Sequence, residues 1–147
     1  MKIKDILEQQ GKREIFKVTP DTAVKDGLEI IMKKHIGALL VMDENDKLAG
    51  IITERDILWR IYKDGEDALH KKVDDYMTRN VIVGIPDDDI ETAEQFMTVN
   101  RFRHLPIMEG EKLVGLISIG DIVKSMAGSL KVQNRYLRDY ITGKYPG

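Results

Sequence analysis

Residues 48–58, LAGIITERDIL, and residues 113–123, LVGLISIGDIV, carry one pattern twice. In each, an apolar run passes through a glycine to a hydroxyl residue, and an aspartate follows three positions on. The first copy is Gly50-Ile51-Ile52-Thr53-Glu54-Arg55-Asp56 and the second Gly115-Leu116-Ile117-Ser118-Ile119-Gly120-Asp121. The likeness extends outward over residues 15–58 and 81–123, with one gap at Glu44. Pro20 then falls on Pro86, Asp21 on Asp87, Leu39 on Leu105, Met42 on Met108 and Lys47 on Lys112. A solenoid needs about three or more repeats to bury its core. Two copies make a pseudo-symmetric pair instead, with a cleft between them.

The 147-residue length fits one compact domain. A chain of this size buries about 68–70% of its unfolded surface, so it needs no disulfide or metal to hold it. With no cysteine, disulfides, thiolate metal sites and cysteine nucleophiles are excluded. Lys and Arg number 23 against 25 Asp and Glu, a net charge of −2 that argues against a nucleic-acid or acidic-membrane binder. No apolar run approaches the ~18 residues that span a bilayer. The opening MKIKDILEQQGKREIF lacks the apolar core of a secretory signal, so a cytoplasmic protein is expected.

Each repeat opens on an apolar stretch, Ile15–Val18 or Val81–Ile85, stopped by Pro20-Asp21 or Pro86-Asp87. Thr22 and Asp88 are placed to cap a helix, and Asp88 with Glu91 has capping-box spacing. Apolar residues then recur at helical intervals: Val24, Leu28, Ile31 and Met32, against Ile90, Ala93 and Met97. Two short apolar runs around a polar turn follow, Ala38–Met42 with Leu48–Ile52 and Leu105–Met108 with Leu113–Ile117, which read as hairpins. A helix starting at Thr53 or Ser118 closes each repeat. The expected fold is α/β, with tandem β-α-β-β-α repeats packed about a pseudo-two-fold axis. Its expected divisions are a lead-in over 1–14, a first repeat over 15–62, a linker and second lead-in over 63–80, a second repeat over 81–128 and a helical tail over 129–147. The lead-ins are themselves related: Ile3, Asp5, Ile6-Leu7 against Val73, Asp75, Tyr76-Met77.

At Thr53 and Ser118 a strand ends and a helix begins. The first helical amides have no intrahelical partners and carry partial positive charge, so such an end favours anions. A hydroxyl there can bond a backbone amide or a ligand. An aspartate one turn on can accept from vicinal hydroxyls, as acidic residues do for ribose in other nucleotide folds. The same letters also spell a capping box, a structural device worth about 1 kcal/mol. Two copies in matching settings favour the ligand role over the cap alone.

These motifs, the Pro-Asp before each first helix and the stretch Arg103-His104-Leu105-Pro106-Ile107 resemble the cystathionine-β-synthase (CBS) domain pair, or Bateman module. The phrases TERDIL and FRHLPI and the closing Leu137–Thr142 are similar to small stand-alone bacterial members. The resemblance covers about residues 15–123. It implies two clefts that take adenosine-containing ligands: AMP, ADP, ATP, NAD(H) or S-adenosylmethionine. Carried over, Asp56 and Asp121 contact ribose hydroxyls, and Thr53 and Ser118 lie near phosphate or ribose. The neighbourhoods of Val18-Thr19 and Gly84-Ile85 flank adenine. Arg103 and His104, where the first repeat has Gly37-Ala38, supply phosphate contacts, which makes the two sites unequal. Arg offers a forked donor suited to phosphate, and histidine adds a donor. Arg55 faces the cleft or pairs with an acid.

No catalytic constellation stands out. His35, His70 and His104 lack metal-ligand spacing, and no P-loop or nucleophile elbow is present. Asp56 and Asp121 as a general acid/base pair conflicts with their expected placement in separate sites. The chain is expected to be a regulatory module, not an enzyme. It would act through a homodimer that buries faces such as Leu58/Ile61 and Val123/Met126, and through an unidentified partner protein. Trp59 and Tyr62 are expected in the core or the dimer contact. The alternative is a scaffold or oligomerisation module with vacant clefts.

Overall fold

The structure is a computed structural model that describes residues 1–11 and 13–127. In chain order it runs α1 (Ile3–Gln10), β1 (Lys17–Val18), α2 (Val24–Lys34), β2 (Ala38–Met42), β3 (Leu48–Thr53) and α3 (Glu54–Asp64). A 3-10 helix, Gly65–His70, leads to α4 (Val73–Tyr76), α5 (Ile90–Asn100), β4 (His104–Glu109), β5 (Lys112–Ser118) and α6 (Ile119–Ala127). The helix expected over 129–147 lies outside the described residues.

The two hairpins are superimposable in register. Leu39 faces Ile52 and Val41 faces Gly50 in the first; Leu105 faces Ile117 and Ile107 faces Gly115 in the second. Both slip at one place, Val41/Met42 and Ile107/Met108. β1 adds to β2 in parallel, Val18 opposite Val41. The matching strand expected over Val81–Ile85 shrinks to a single parallel bridge, Gly84 to Ile107. A side chain at Gly84 would meet Leu105 and Ile107, its Cβ 3.0 Å from Leu105 Cδ2, so only a bare backbone approaches there.

The helix starts differ from expectation. α2 and α5 begin one residue later, after Ala23 and Asp89, and neither has a side-chain cap. Thr22 and Asp88 bond backward instead, accepting from the Thr19 and Ile85 amides at 3.1 and 2.9 Å, and so they close the proline turns. The first helical amides are met by backbone from the lead-ins. Val24 N–H donates to Lys71 O at 2.8 Å, and Ile90 N–H to Met1 O at 3.1 Å. The polar stretch read as linker is ordered too: α3 runs on to Asp64, and Ala68 of the 3-10 helix is buried. Met32 is exposed; the buried face of α2 is Val24, Gly27 and Ile31.

The lead-ins are exchanged between repeats. α1 seats Ile3 and Ile6, both buried, in one core with Ile90, Met97, Leu105, Ile107, Ile117 and Ile122 of the second repeat. α4 seats Val73, with Met77 behind it, in the core of the first repeat, among Val24, Ile31, Leu39, Ile52 and Ile57. This explains the motif glycines. A Cβ on Gly50 would stand 2.7 Å from Met77 Sδ, and one on Gly115 would collide with Leu7. A third cluster, Ala38, Leu40, Met42 and Ile51 against Leu113, Leu116, Ile15 and Val81, joins the repeats. Covered on both faces, β2 is buried at every residue, as its unbroken ALLVM demands.

Candidate nucleotide clefts

Because α1 sits on the second repeat and β1 belongs to the first, residues 11–16 must cross between them. Residues 78–82 make the opposite crossing. Each crossing forms one wall of a cleft. The first, about 290 Å³, is lined by the first crossing and by Leu7, Gln10, His35, Gly37, His104 and Ser118, among others. The second, about 400 Å³, is lined by Thr53, Asp56, Arg55, Arg101 and Arg103 with Thr78, Asn80, Val81 and Ile82. Ligand pockets span about 300–1,000 Å³, so both are small open examples.

The hydroxyl residue that lines the floor of each cleft is locked to its aspartate. Thr53 N–H donates to Asp56 Oδ2 at 3.0 Å, and Asp56 N–H donates to Thr53 Oγ1 at 3.1 Å. Ser118 and Asp121 repeat this at 2.9 and 3.1 Å. Both are capping boxes, so the structural role weighed from the sequence is real. It leaves the second carboxylate oxygen of each aspartate without a partner among the described residues. The N-terminal amides of the two helices are met alike, Glu54 N–H by Gly37 O at 3.0 Å and Ile119 N–H by Arg103 O at 2.8 Å.

Above that floor the clefts differ. Asp121 Oδ2 also receives Arg13 Nη1 at 3.0 Å. The corresponding Arg79 turns away, donating to the carbonyl and carboxylate of Asp74, each at 2.9 Å. His104 lines both clefts. It faces Gly37, where a Cβ would stand 3.0 Å from its Nε2, so glycine makes room for the imidazole. Burial holds His104 below the usual histidine pKa; the Asp121 and Glu54 carboxylates oppose this, and Arg103 and Arg13 reinforce it.

The structure thus brings Thr53, Arg55, Asp56, Arg103 and His104 together in one cleft, and Ser118 and His104 in the other, with Asp121 bonded to two of that cleft's lining residues. Thr19, Gly84 and Ile85 line neither. They stand at the proline turns, while Ile15-Phe16 and Val81-Ile82 of the crossings line the clefts. Gln10 and Arg13 line the first cleft and Thr78 and Asn80 the second; the sequence did not single them out because nothing in it says where the lead-ins pack. Among the described residues no group of three or more His, Cys, Asp or Glu is placed to hold a metal, and no helix is long and apolar enough to cross a membrane.

Comparison with known proteins gives the family. The CBS-domain family model matches residues 3–63 and 73–128. The chain is 35% identical over 150 residues to CBS domain-containing protein CBSX3, mitochondrial, of Arabidopsis thaliana, covering 97% of this chain and 73% of that one. The CBS-domain containing protein ATU1752 from Agrobacterium tumefaciens superimposes with a TM-score of 0.82 at 34% identity, over 85% of this chain and 92% of that one. Two similar structures carry ligands. CBSX2 in complex with AMP has a TM-score of 0.71 at 25% identity, over 85% and 95% of the two chains. The CBS domain pair of MJ0100, with 5′-methylthioadenosine and S-adenosyl-L-methionine, has 0.76 at 26%, over 87% and 97%. Against the inosine-5′-monophosphate dehydrogenase of Methanocaldococcus jannaschii, 38% identical over 113 residues, the chain spans 22% of the enzyme. The chain belongs to the CBS-domain family and folds as a CBS domain pair.

Proposed function

We propose that this protein is a regulatory sensor of an adenosine-containing ligand, with AMP first among the candidates, then ADP, ATP and NAD(H). The observation that carries this is the pair of inter-repeat clefts, each with a helix N-terminus and a carboxylate holding one oxygen spare, with arginines and His104 within reach of a phosphate. The adenosine ligands named in two similar structures support the same chemistry. No catalytic step is assigned: the chain works by binding, in the cytoplasm, and its output passes through a homodimer and a partner protein. Exposed Leu58, Trp59 and Tyr62 on α3 and Val123 and Met126 on α6 supply an apolar surface for that dimer. Ile61, expected in the same contact, packs inward.

A thermal-shift panel of AMP, ADP, ATP, NAD, NADH and S-adenosylmethionine, with guanosine nucleotides as controls, tests the reading. A ligand at 100 times its Kd adds about 2.7 kcal/mol of stability. A rise with an adenosine ligand that vanishes in Asp56→Asn/Asp121→Asn supports the sensor. The capping boxes favour a second reading, a scaffold with vacant clefts, since they give both aspartates work without any ligand. No rise with any compound, after co-purified nucleotide is excluded by absorbance, selects the scaffold.

A further inference from the structure

The two crossings are unequal in length. Between Leu7 and Ile15 the chain spends residues 8–14; between the corresponding Met77 and Val81 it spends only 78–80. The short crossing is pinned to its repeat by paired backbone bonds, Thr78 N–H to Ile51 O at 2.9 Å and Ile51 N–H to Thr78 O at 3.0 Å. In the long one no backbone hydrogen bond is made by Arg13 or Glu14 among the described residues. The tie there is the guanidinium of Arg13 on Asp121, reaching over the Ser118 cleft from one repeat to the other. Asp121 is largely sheltered, its side chain 20% exposed, and with Arg13 and Ser118 N–H both on Oδ2 only Oδ1 is left, so vicinal hydroxyls that take both oxygens must displace the guanidinium. Beside it Gln10, which lines the same cleft, buries its Nε2 with no hydrogen-bond partner among the described residues. In the other cleft Asp56 meets no arginine among the described residues, and Arg79 is spent on Asp74.

We propose that Arg13 gates the Ser118 cleft and sets its ligand class: a ribonucleotide that offers vicinal hydroxyls to Asp121 and a phosphate to the released guanidinium. This rests on the nucleotide reading above. Ribose hydroxyls and Arg13 compete for one carboxylate. An unphosphorylated nucleoside breaks the ion pair and leaves the guanidinium without an anion. A sulfonium ligand brings a like charge to it. A nucleotide replaces both halves of the pair, since a phosphate matches the guanidinium fork. The Gln10 amide provides a further donor.

The test is calorimetric titration with AMP and with adenosine in an Asp56→Asn background, where the other cleft has lost its carboxylate but Thr53 N–H keeps an acceptor. Arg13→Ala should lower the ratio of the adenosine Kd to the AMP Kd at least tenfold, adenosine tightening as AMP weakens. Arg79→Ala should leave the ratio unchanged. An unmoved ratio in Arg13→Ala, an equal weakening of both ligands, or loss of all binding in Asp56→Asn alone would overturn the gate while leaving the nucleotide reading intact. A wild-type protein that binds neither compound would overturn both.

Discussion

Two residues at the clefts, Asp121 and His104, make separable predictions. An aspartate that both caps a helix and faces a cleft should show two losses of different size. Asp121→Ala removes the acceptor for Ser118 N–H and should cost about 1 kcal/mol in urea unfolding, as N-terminal cap losses do. Asp121→Asn keeps an acceptor and should cost less, while both remove the Ser118 cleft's share of any ligand-induced stabilisation. His104 carries the pH dependence. Its folded pKa is lowered from 6.5 by burial, so the unfolded chain binds the extra proton more readily. Stability should therefore fall as pH drops through 6.5 toward the folded value. His104→Gln should flatten that limb in a series of thermal melts. A wild-type protein whose stability is level across this window would refute the assignment.

Among the elements, the hairpins and the helices that follow them were legible from the sequence, because glycine, hydroxyl and aspartate sit at fixed offsets on apolar strands. The strand β2 matches its sequence span to the residue, Ala38–Met42. The first strand of the second repeat was overread. Ile82, Val83 and Ile85 are apolar, yet they are exposed, because only Gly84 can approach Ile107. Thr22 and Asp88 misled because the same short polar side chains serve turns and caps alike. The glycines of the repeated motif had no assigned role in the sequence reading; in the structure they admit Leu7 and Met77. Overpacking of this kind typically costs 1–3 kcal/mol. Gly115→Ala should therefore destabilise by about that much. In a Leu7→Ala background the added cost should be smaller, a coupling that a double-mutant cycle reads directly.

For the molecule as a whole, composition set the charge balance but was silent on connectivity. A lead-in motif repeats without saying which repeat it will bury against. That ambiguity hid the crossings, and with them Arg13 and half of each cleft wall. The exchange predicts that Ile6→Ala, although it lies at the chain's start, loosens the second repeat. About 2–5 kcal/mol is the usual loss for such a buried truncation. Hydrogen exchange should report it in α5 and α6 rather than in α2. The proposed dimer has its own check. Paired Leu58→Asp and Val123→Asp substitutions should shift sedimentation from dimer to monomer without lowering the melting temperature of dilute protein by more than the dimer contributes. A dimer that survives them would move the interface elsewhere.

Exchange of the lead-ins also imposes an order in time. α1 leaves the ribosome well before its seat, which is built from Ile90 through Ile122. At about 5–20 residues per second, it waits several seconds for the groove that receives it. During that wait Ile3, Ile6 and Leu7 are bare apolar side chains on a nascent chain. The first repeat waits too, since Val73 and Met77 complete its core. α1 therefore docks only after the second repeat has been made, and its docking carries an early-made segment to the edge of the Ser118 cleft.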